Sequence, residues 1–326
     1  LDKRKIAESL PGAVAEAVCV MFLATVVAMA NAVGLSYILF PELGALASDV
    51  LQRPAGKWAK EPWKLVATPT VTGLIGILVG RALPYGLPSV LIILTASIGV
   101  IYALRSAVAP AISAGILPLV LGVTSWRYPV CVCGTLLALT LILFAWRAIP
   151  FGKRLMPDRT PDRKATERLE VLVKPGWWLV ALYAFVIVMA VAVQLTGWRF
   201  ILFPPLIVIA YEMLGHPDTC PWAREPIKFP IACSLSALIG VAVVLTTGVT
   251  ALGAAVVAMA SLLMLRGGQL RMPPVVAIGV IPFVMAAPTY RYPLSVLIGT
   301  SALTLWFLAY CFLAKRLPKN PMLQGS

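Results

Sequence analysis

Three stretches of this chain set the terms for everything else. "AVCVMFLATVVAMANAVG" begins at Ala17, "LVALYAFVIVMAVAVQLTG" at Leu179 and "LSVLIGTSALTLWFLAYCFLA" at Leu294. Each is long enough, coiled as a helix, to cross about 30 Å of hydrocarbon. A chain with no water beside it must satisfy every backbone N–H and C=O internally, which leaves the helix or the closed barrel. Unbroken apolar runs of this length specify the helix. The rest of the chain agrees, being 60% hydrophobic and only 12% charged, against about a quarter charged in a soluble domain. The expectation is an all-α, polytopic transmembrane helical bundle in a membrane of plasma-membrane type, prokaryotic in character.

Near its ends the chain has two features of processing. The first run follows "LDKRK" and is too long for the apolar core of a cleaved signal, so it reads as a true span. The final Gly325-Ser326 reads as a cloning or cleavage scar and is set aside. Six cysteines stand at 19, 131, 133, 220, 233 and 311, five of them inside apolar runs. Cys131 and Cys133 have no histidine or carboxylate near them in sequence, and His216 is the one histidine. The expectation is therefore small buried membrane residues, with no metal site and no cofactor.

The chain also repeats itself. Phe40-Pro41 recurs as Phe203-Pro204, with Asn31 matching Gln194, Gly34 matching Gly197 and Asp49 matching Glu212. One residue further apart, "WAKEP" from Trp58 recurs as "WAREP" from Trp222, and Leu74-Ile75-Gly76 as Leu238-Ile239-Gly240. Pro110, Gly115 and Pro118 match Pro274, Gly279 and Pro282, and Arg127-Tyr128-Pro129 matches Arg291-Tyr292-Pro293. An ordered series at near-constant separation predicts two homologous halves, residues 1–146 and 175–324, joined by a charged linker at 147–174. Each half holds six apolar segments, near 13–33, 35–50, 66–83, 87–104, 107–123 and 128–146, then near 176–196, 200–214, 229–247, 250–265, 272–288 and 292–313. The bundle thus has 10–12 membrane segments, including short or broken ones. Segments 35–50, 107–123, 200–214 and 272–288 either span fully or re-enter.

Charge orients the chain. Lys and Arg gather on cytoplasmic loops. Lys3, Arg4 and Lys5, the basic linker, and Lys315, Arg316 and Lys319 place both termini and the linker inside, so each half crosses an even number of times. With six crossings, only Arg81, Arg127, Arg199 and Arg291 of the 27 basic residues lie outside. The formal net charge of +14 then reflects topology and anionic lipid at the inner surface, and calls for no nucleic acid.

The ordered set "ILFPELGALASDVL", a loop ending in Ala-x-x-Pro, a helix containing "LIG", the proline-opened "APAISAGILPLVLG" and a last helix after an aromatic-basic-Pro turn resembles the HPP family of integral membrane proteins. The resemblance covers most of each half. The family's His-Pro-Pro reads Val108-Ala109-Pro110 and then Met272-Pro273-Pro274, so its histidine is missing from both. The family's Gly-Ala pair is Gly44-Ala45 in the first half and Ile207-Val208 in the second. The resemblance implies a transporter, with nitrite the associated ion.

The residues themselves offer the following. Pro41, Pro110, Pro204 and Pro274 open short stretches rich in small residues, where proline suits a first helical turn. If those helices begin inside the membrane, their unpaired N–H groups and dipoles suit a small anion; otherwise these are proline-kinked helices. Gly44, Ala45 and Ser113 lie in the same stretches and join them as candidate substrate contacts. Glu42 has Pro205 as its counterpart. It either carries a coupling proton or caps a helix at the outer interface. Arg199, with Ser36 as its counterpart, is the charged candidate, assisting backbone N–H groups, and Arg199→Gln is expected to hurt transport more than Arg81→Gln. Asp49 and Glu212 are expected to pair with loop cations, and Asn31 and Gln194 to bond between helices. Arg127 and Arg291 either anchor the outer interface or form a basic mouth. In the heptapeptide repeat, Trp58 and Trp222 suit the inner interface, with Lys60–Glu61 and Arg224–Glu225 as ion pairs.

The leading expectation is a transporter or facilitator of a small inorganic anion, nitrite or nitrate in kind, not an enzyme. The alternatives are an intramembrane enzyme and a structural or lipid-binding subunit, and self-association stays open. No nucleotide-binding motif is present, so no intrinsic pump is expected.

Overall fold

The computed structural model describes residues 3–155 and 172–316. Most of the expected linker and the chain end at 317–326 lie outside the described residues. Those residues form fourteen α-helices and no strand. The first half holds α1 (Lys3–Val33), α2 (Glu42–Gln52), α3 (Lys57–Lys60), α4 (Pro62–Ala82), α5 (Leu87–Ala103), α6 (Ala111–Leu121) and α7 (Arg127–Ala148), with α8 (Pro150–Leu155) following. The second half holds α9 (Trp177–Thr196), α10 (Pro204–Gly215), α11 (Lys228–Thr247), α12 (Ala251–Gly267), α13 (Pro274–Val280) and α14 (Arg291–Arg316).

Six helices, α1, α4, α7, α9, α11 and α14, are apolar and long enough to cross a membrane. They turn large apolar side chains outward: Leu195, on α9, is 82% exposed and Leu305, on α14, 69%. Such continuous apolar exposure suits lipid and not water. The fold is that of a polytopic helical integral membrane protein.

The short helices occupy the middle. Every residue from Pro41 to Leu51 is buried, as is every residue from Ala109 to Val120, Ile201 to Leu214 and Pro274 to Phe283. Between the halves, α1 packs on α12 and α9 on α5, while α2 packs on α13 and α10 on α6. Each of these helix pairings therefore occurs twice, with the partners exchanged.

The register of α6 against α4 explains how a short segment traverses the bundle. Thr72 Oγ1 donates to the Ala111 carbonyl (2.6 Å), and Arg81 Nη1 to that of Thr124 (3.2 Å). α6 thus runs parallel to α4, starting about half-way along it and finishing at its far end. α2 does the opposite. Its last turn is tied to the other end of the bundle, where Trp146 Nε1 donates to the Leu51 carbonyl (2.9 Å) and Arg147 to that of Pro54. An 11-residue helix rises about 16 Å, half a hydrocarbon core. In segments 35–50 and 107–123 a stretch of irregular chain precedes a short helix, and in this form each goes from end to end. The second half repeats the plan: Ser236 Oγ donates to the Val275 carbonyl (2.8 Å), as Thr72 does to Ala111.

Glycine makes this packing feasible. Gly76 on α4 lies directly against the Gly115 carbonyl of α6, and Gly240 on α11 against that of Gly279 on α13, with no room for a Cβ at either. Small residues let helix backbones meet where lipid supplies no hydrophobic drive. Tyr128 Oη donates to the Ala114 carbonyl (2.9 Å) and Tyr292 Oη to that of Ile278 (2.8 Å), so the same fastening occurs twice.

The heptapeptide repeat has a different role from the one expected. Trp58 and Trp222 are buried (7% and 3% exposed), not set at a lipid interface. Trp58 Nε1 donates to the Ala107 carbonyl (2.8 Å), pinning the chain that enters α6. The ion pairs also differ: Glu61 binds Lys64 (2.7 Å) and Glu225 binds Lys228 (3.2 Å), each three residues on. Lys60 and Arg224 face away, and Arg224 donates to the Asp218 carbonyl. Trp58→Phe keeps an aromatic ring but loses part of the indole's volume and one buried hydrogen bond. It should lower stability by about 1–3 kcal/mol, read as a fall in the thermal unfolding midpoint in detergent.

Candidate functional site

Glu42 is the first residue of α2 and is 2% exposed. It sits deep in the bundle, which overturns the expectation of a cap at the outer interface. Ser113, on the first turn of α6 and fully buried, donates its hydroxyl to Glu42 Oε1. The other carboxyl oxygen, Oε2, is buried with no hydrogen-bond partner. Such a vacancy at a carboxyl is costly and uncommon, and it marks a place where a proton or ligand changes the balance.

The contacts bring three short helices to this point. Glu42 and Ser113 join the starts of α2 and α6. A Cβ on Gly44 would lie 3.0 Å from Val276 Cγ1, so Gly44 lets α2 lie close against the start of α13 in the other half. α10, opened by buried Pro204, packs on α6 from that same half. Pro41, Pro110, Pro204 and Pro274 are all buried at the helix starts. Ala45 is buried too and accepts from Ser48 Oγ (2.9 Å).

The first-turn amides are less open than the sequence suggests. Leu43 N and Gly44 N donate to the carbonyls of Phe40 and Pro41. Ala111 N and Ile112 N donate to those of Val108 and Ala109, and Val275 N and Val276 N to those of Met272 and Pro273. Tight turns ahead of each helix absorb these donors. The helix dipoles remain, with their positive ends directed to the middle.

Other predicted residues lie elsewhere. Arg199 is not with Glu42. It is exposed, in a 3-10 turn at Arg199–Leu202, with its guanidinium 5.0 Å from the Tyr85 ring of the other half. Burial raises the Tyr85 phenol above its usual range, and the Arg199 charge partly offsets this. Asn31 Nδ2 donates to the Val249 carbonyl (2.7 Å), also across the halves. Its counterpart Gln194 is exposed. Arg127 is exposed at the start of α7, and Arg291 lies 5.8 Å from the Trp198 ring. These residues latch or edge the loops at the end of the bundle where α1 and α4 finish. Asp49 pairs with Arg53 through Nε (2.9 Å) and Nη2 (2.5 Å), as its place near a loop predicts. Glu212 is buried at the matching position of α10.

Sequence reasoning passed over one feature. A cavity of about 580 Å³ opens between the halves, lined by Glu16, Ser48, Asp49, Gln52, Arg53, Arg154, Arg266, Arg271 and Pro273, among others. Glu16 of α1 meets Arg266 of the other half (3.2 Å). No periodicity in one strand of sequence shows that two distant segments leave space between them.

Comparison with known protein families, curated proteins and solved structures finds no match to this chain.

Proposed function

We propose that the protein carries a small inorganic anion, nitrite or nitrate in kind, across a membrane together with a proton. The carrying observation is the Glu42 carboxyl. It is buried where α2 and α6 begin, bonded to Ser113 on one oxygen and unpartnered on the other. The positive ends of short helices favour an anion there. A carboxylate beside that anion repels it strongly in a medium of low dielectric constant. The two share the site only when Glu42 is protonated, so anion and proton travel together. The ordered motifs that resemble the HPP family agree with a transporter.

The test is nitrate flux in proteoliposomes. Nitrate stays ionised at any pH used, so leakage of the neutral acid does not confuse the result. An inward proton gradient should drive nitrate uptake without building a membrane potential. No flux above protein-free vesicles overturns the proposal and leaves a structural or lipid-binding subunit as the better reading.

The same reading puts both termini and the 147–174 linker in the cytoplasm of a prokaryotic cell, with the halves related by an axis along the membrane normal. A cysteine at Thr160 should resist an impermeant thiol reagent in intact cells and react once the membrane is opened. Labelling in intact cells reverses the topology.

A further inference from the structure

The cavity between the halves has a pseudo-equivalent position, and the two differ in space and in basic charge. Ala15 and the wall residue Ser48 are small in the first half, and their counterparts 163 residues on are Trp178 and Tyr211. Those two rings stack edge to face, 5.3 Å apart. Trp178 Nε1 donates to the Lys174 carbonyl (2.9 Å), and Tyr102 donates to that of Val173. The second position is therefore filled. Glu212, the counterpart of Asp49, is kept there, but the other charges are replaced. Arg53 is matched by His216, Arg266 by Tyr102, Arg271 by Ala107 and Glu16 by Leu179.

The open position is cationic. Arg53, Arg154, Arg266 and Arg271 face two carboxylates, Glu16 and Asp49. Asp49 is bonded to Arg53 and Glu16 to Arg266. Guanidinium groups present planar forks that match oxyanions, and clefts of one charge sign concentrate the opposite ion. The cavity shares α2 with Glu42. Ser48 and Asp49 stand about two helical turns, roughly 10 Å, along α2 from Glu42. Pro273 in its wall precedes α13, whose Val276 packs on Gly44. At the opposite end the halves are tied by Asn31 to Val249 and by Arg199 on Tyr85.

We infer that this cavity is the single port through which a small oxyanion enters the Glu42 site from the linker side, and that its twin is closed for good by Trp178 and Tyr211. The inference rests on the anion-transport reading for its destination. Its selectivity for anions is separate and testable alone.

The first measurement uses Gln52→Cys, on the cavity wall, in purified protein. Of the native cysteines, Cys19, Cys220 and Cys233 are buried and three are partly covered, and the protein without the added cysteine supplies the background. An anionic sulfonatoethyl thiosulfonate should label Cys at position 52 at least about threefold faster, relative to free thiol, than the cationic trimethylammonium reagent. Arg266→Gln with Arg271→Gln should remove the preference, as should molar salt. Equal rates for the two reagents, or a preference untouched by the arginine changes, overturn the port's selectivity.

The second measurement is nitrate flux. Ser48→Tyr, the residue of the closed twin, should slow labelling at position 52 and reduce uptake at least about tenfold. Tyr211→Ser should leave uptake unchanged. Loss of uptake in Tyr211→Ser with normal thermal unfolding, or full uptake in Ser48→Tyr, places the path elsewhere. If labelling behaves as stated but no variant or parent moves nitrate, the transport reading fails and the anion-selective cavity stands.

Discussion

Glu42→Gln should abolish nitrate uptake driven by a proton gradient while leaving nitrate-for-nitrate exchange largely intact. Glutamine has the shape of the protonated carboxyl. Its amide oxygen still accepts from Ser113, and its amide nitrogen takes the position of the oxygen that has no partner. What it lacks is the ability to give up a proton. A pH gradient then has nothing to act on, and uptake should fall to the level of protein-free vesicles. Exchange needs only a neutral side chain beside the anion, which glutamine supplies at all times. Ser113→Ala removes a hydrogen bond that favours the charged carboxylate over the neutral one. Such a bond is worth about 1.5–3 kcal/mol, so anion binding should persist to higher pH than in the parent, by roughly one to two pH units. Wild-type uptake by Glu42→Gln under a pH gradient removes Glu42 from the coupling. Arg199→Gln, by contrast, should change uptake little more than Arg81→Gln does, since each guanidinium lies over an aromatic ring away from Glu42, Trp126 for Arg81 and Tyr85 for Arg199.

Gly76→Ala and Gly240→Ala should each destabilise the protein by about 1–3 kcal/mol or more, the range for forcing extra atoms into a packed interior. The added methyl meets a backbone carbonyl, Gly115 in one case and Gly279 in the other. A flexible side chain steps aside, whereas a carbonyl inside a helix moves only with the helix. Gly99→Ala is the control. It is also a glycine within an apolar helix, yet nothing lies within 4 Å of the position its Cβ would take. The ordinary preference for alanine over glycine in helices applies there, worth up to about 1 kcal/mol in favour of the variant. Thermal unfolding in detergent reads all three. Comparable midpoints for the three variants mean that the close helix crossings do not hold the fold together.

The class of fold was legible because it follows from solvation. Runs such as Leu179–Gly197 have one stable way to lie in hydrocarbon, and they lie that way. The helix starts at Pro41, Pro110 and Pro204 were legible for a similarly local reason: proline restricts its own backbone and lacks a donor. Pairings among neighbours were partly legible. Asp49 reaches Arg53 within one turn, yet Glu61 passes over Lys60 for Lys64, because residues three apart share a helix face and adjacent ones do not. Depth and long-range contact were not legible. "FPELGALASDVL" gives no sign that Glu42 is at the centre of the molecule and not at its edge. The turn from Leu35 to Pro41 carries it inward, and only the packing of α2 on α13 fixes how far. Arg199 was singled out for lacking a counterpart, and its actual partner, Tyr85, lies 114 positions earlier in the chain. Charge and rarity identify suspects, but a contact between distant segments is a property of the whole fold.

Where α2 begins with Glu42, α10 has Pro205. Two separate copies of one such unit could never make that choice. A pair of identical chains has an even number of every side chain, so its middle would hold either two carboxyls or none. Two would compete for one proton at low dielectric constant, each suppressing the other's ionisation. None would leave nothing to titrate. Joining both copies in one polypeptide frees the numbers from symmetry and fixes the complement at one ionisable group per molecule. On the transport reading proposed above, that group sets a stoichiometric coefficient: one proton for each turnover, fixed by the covalent joining of two unlike halves and not by any adjustment of affinity.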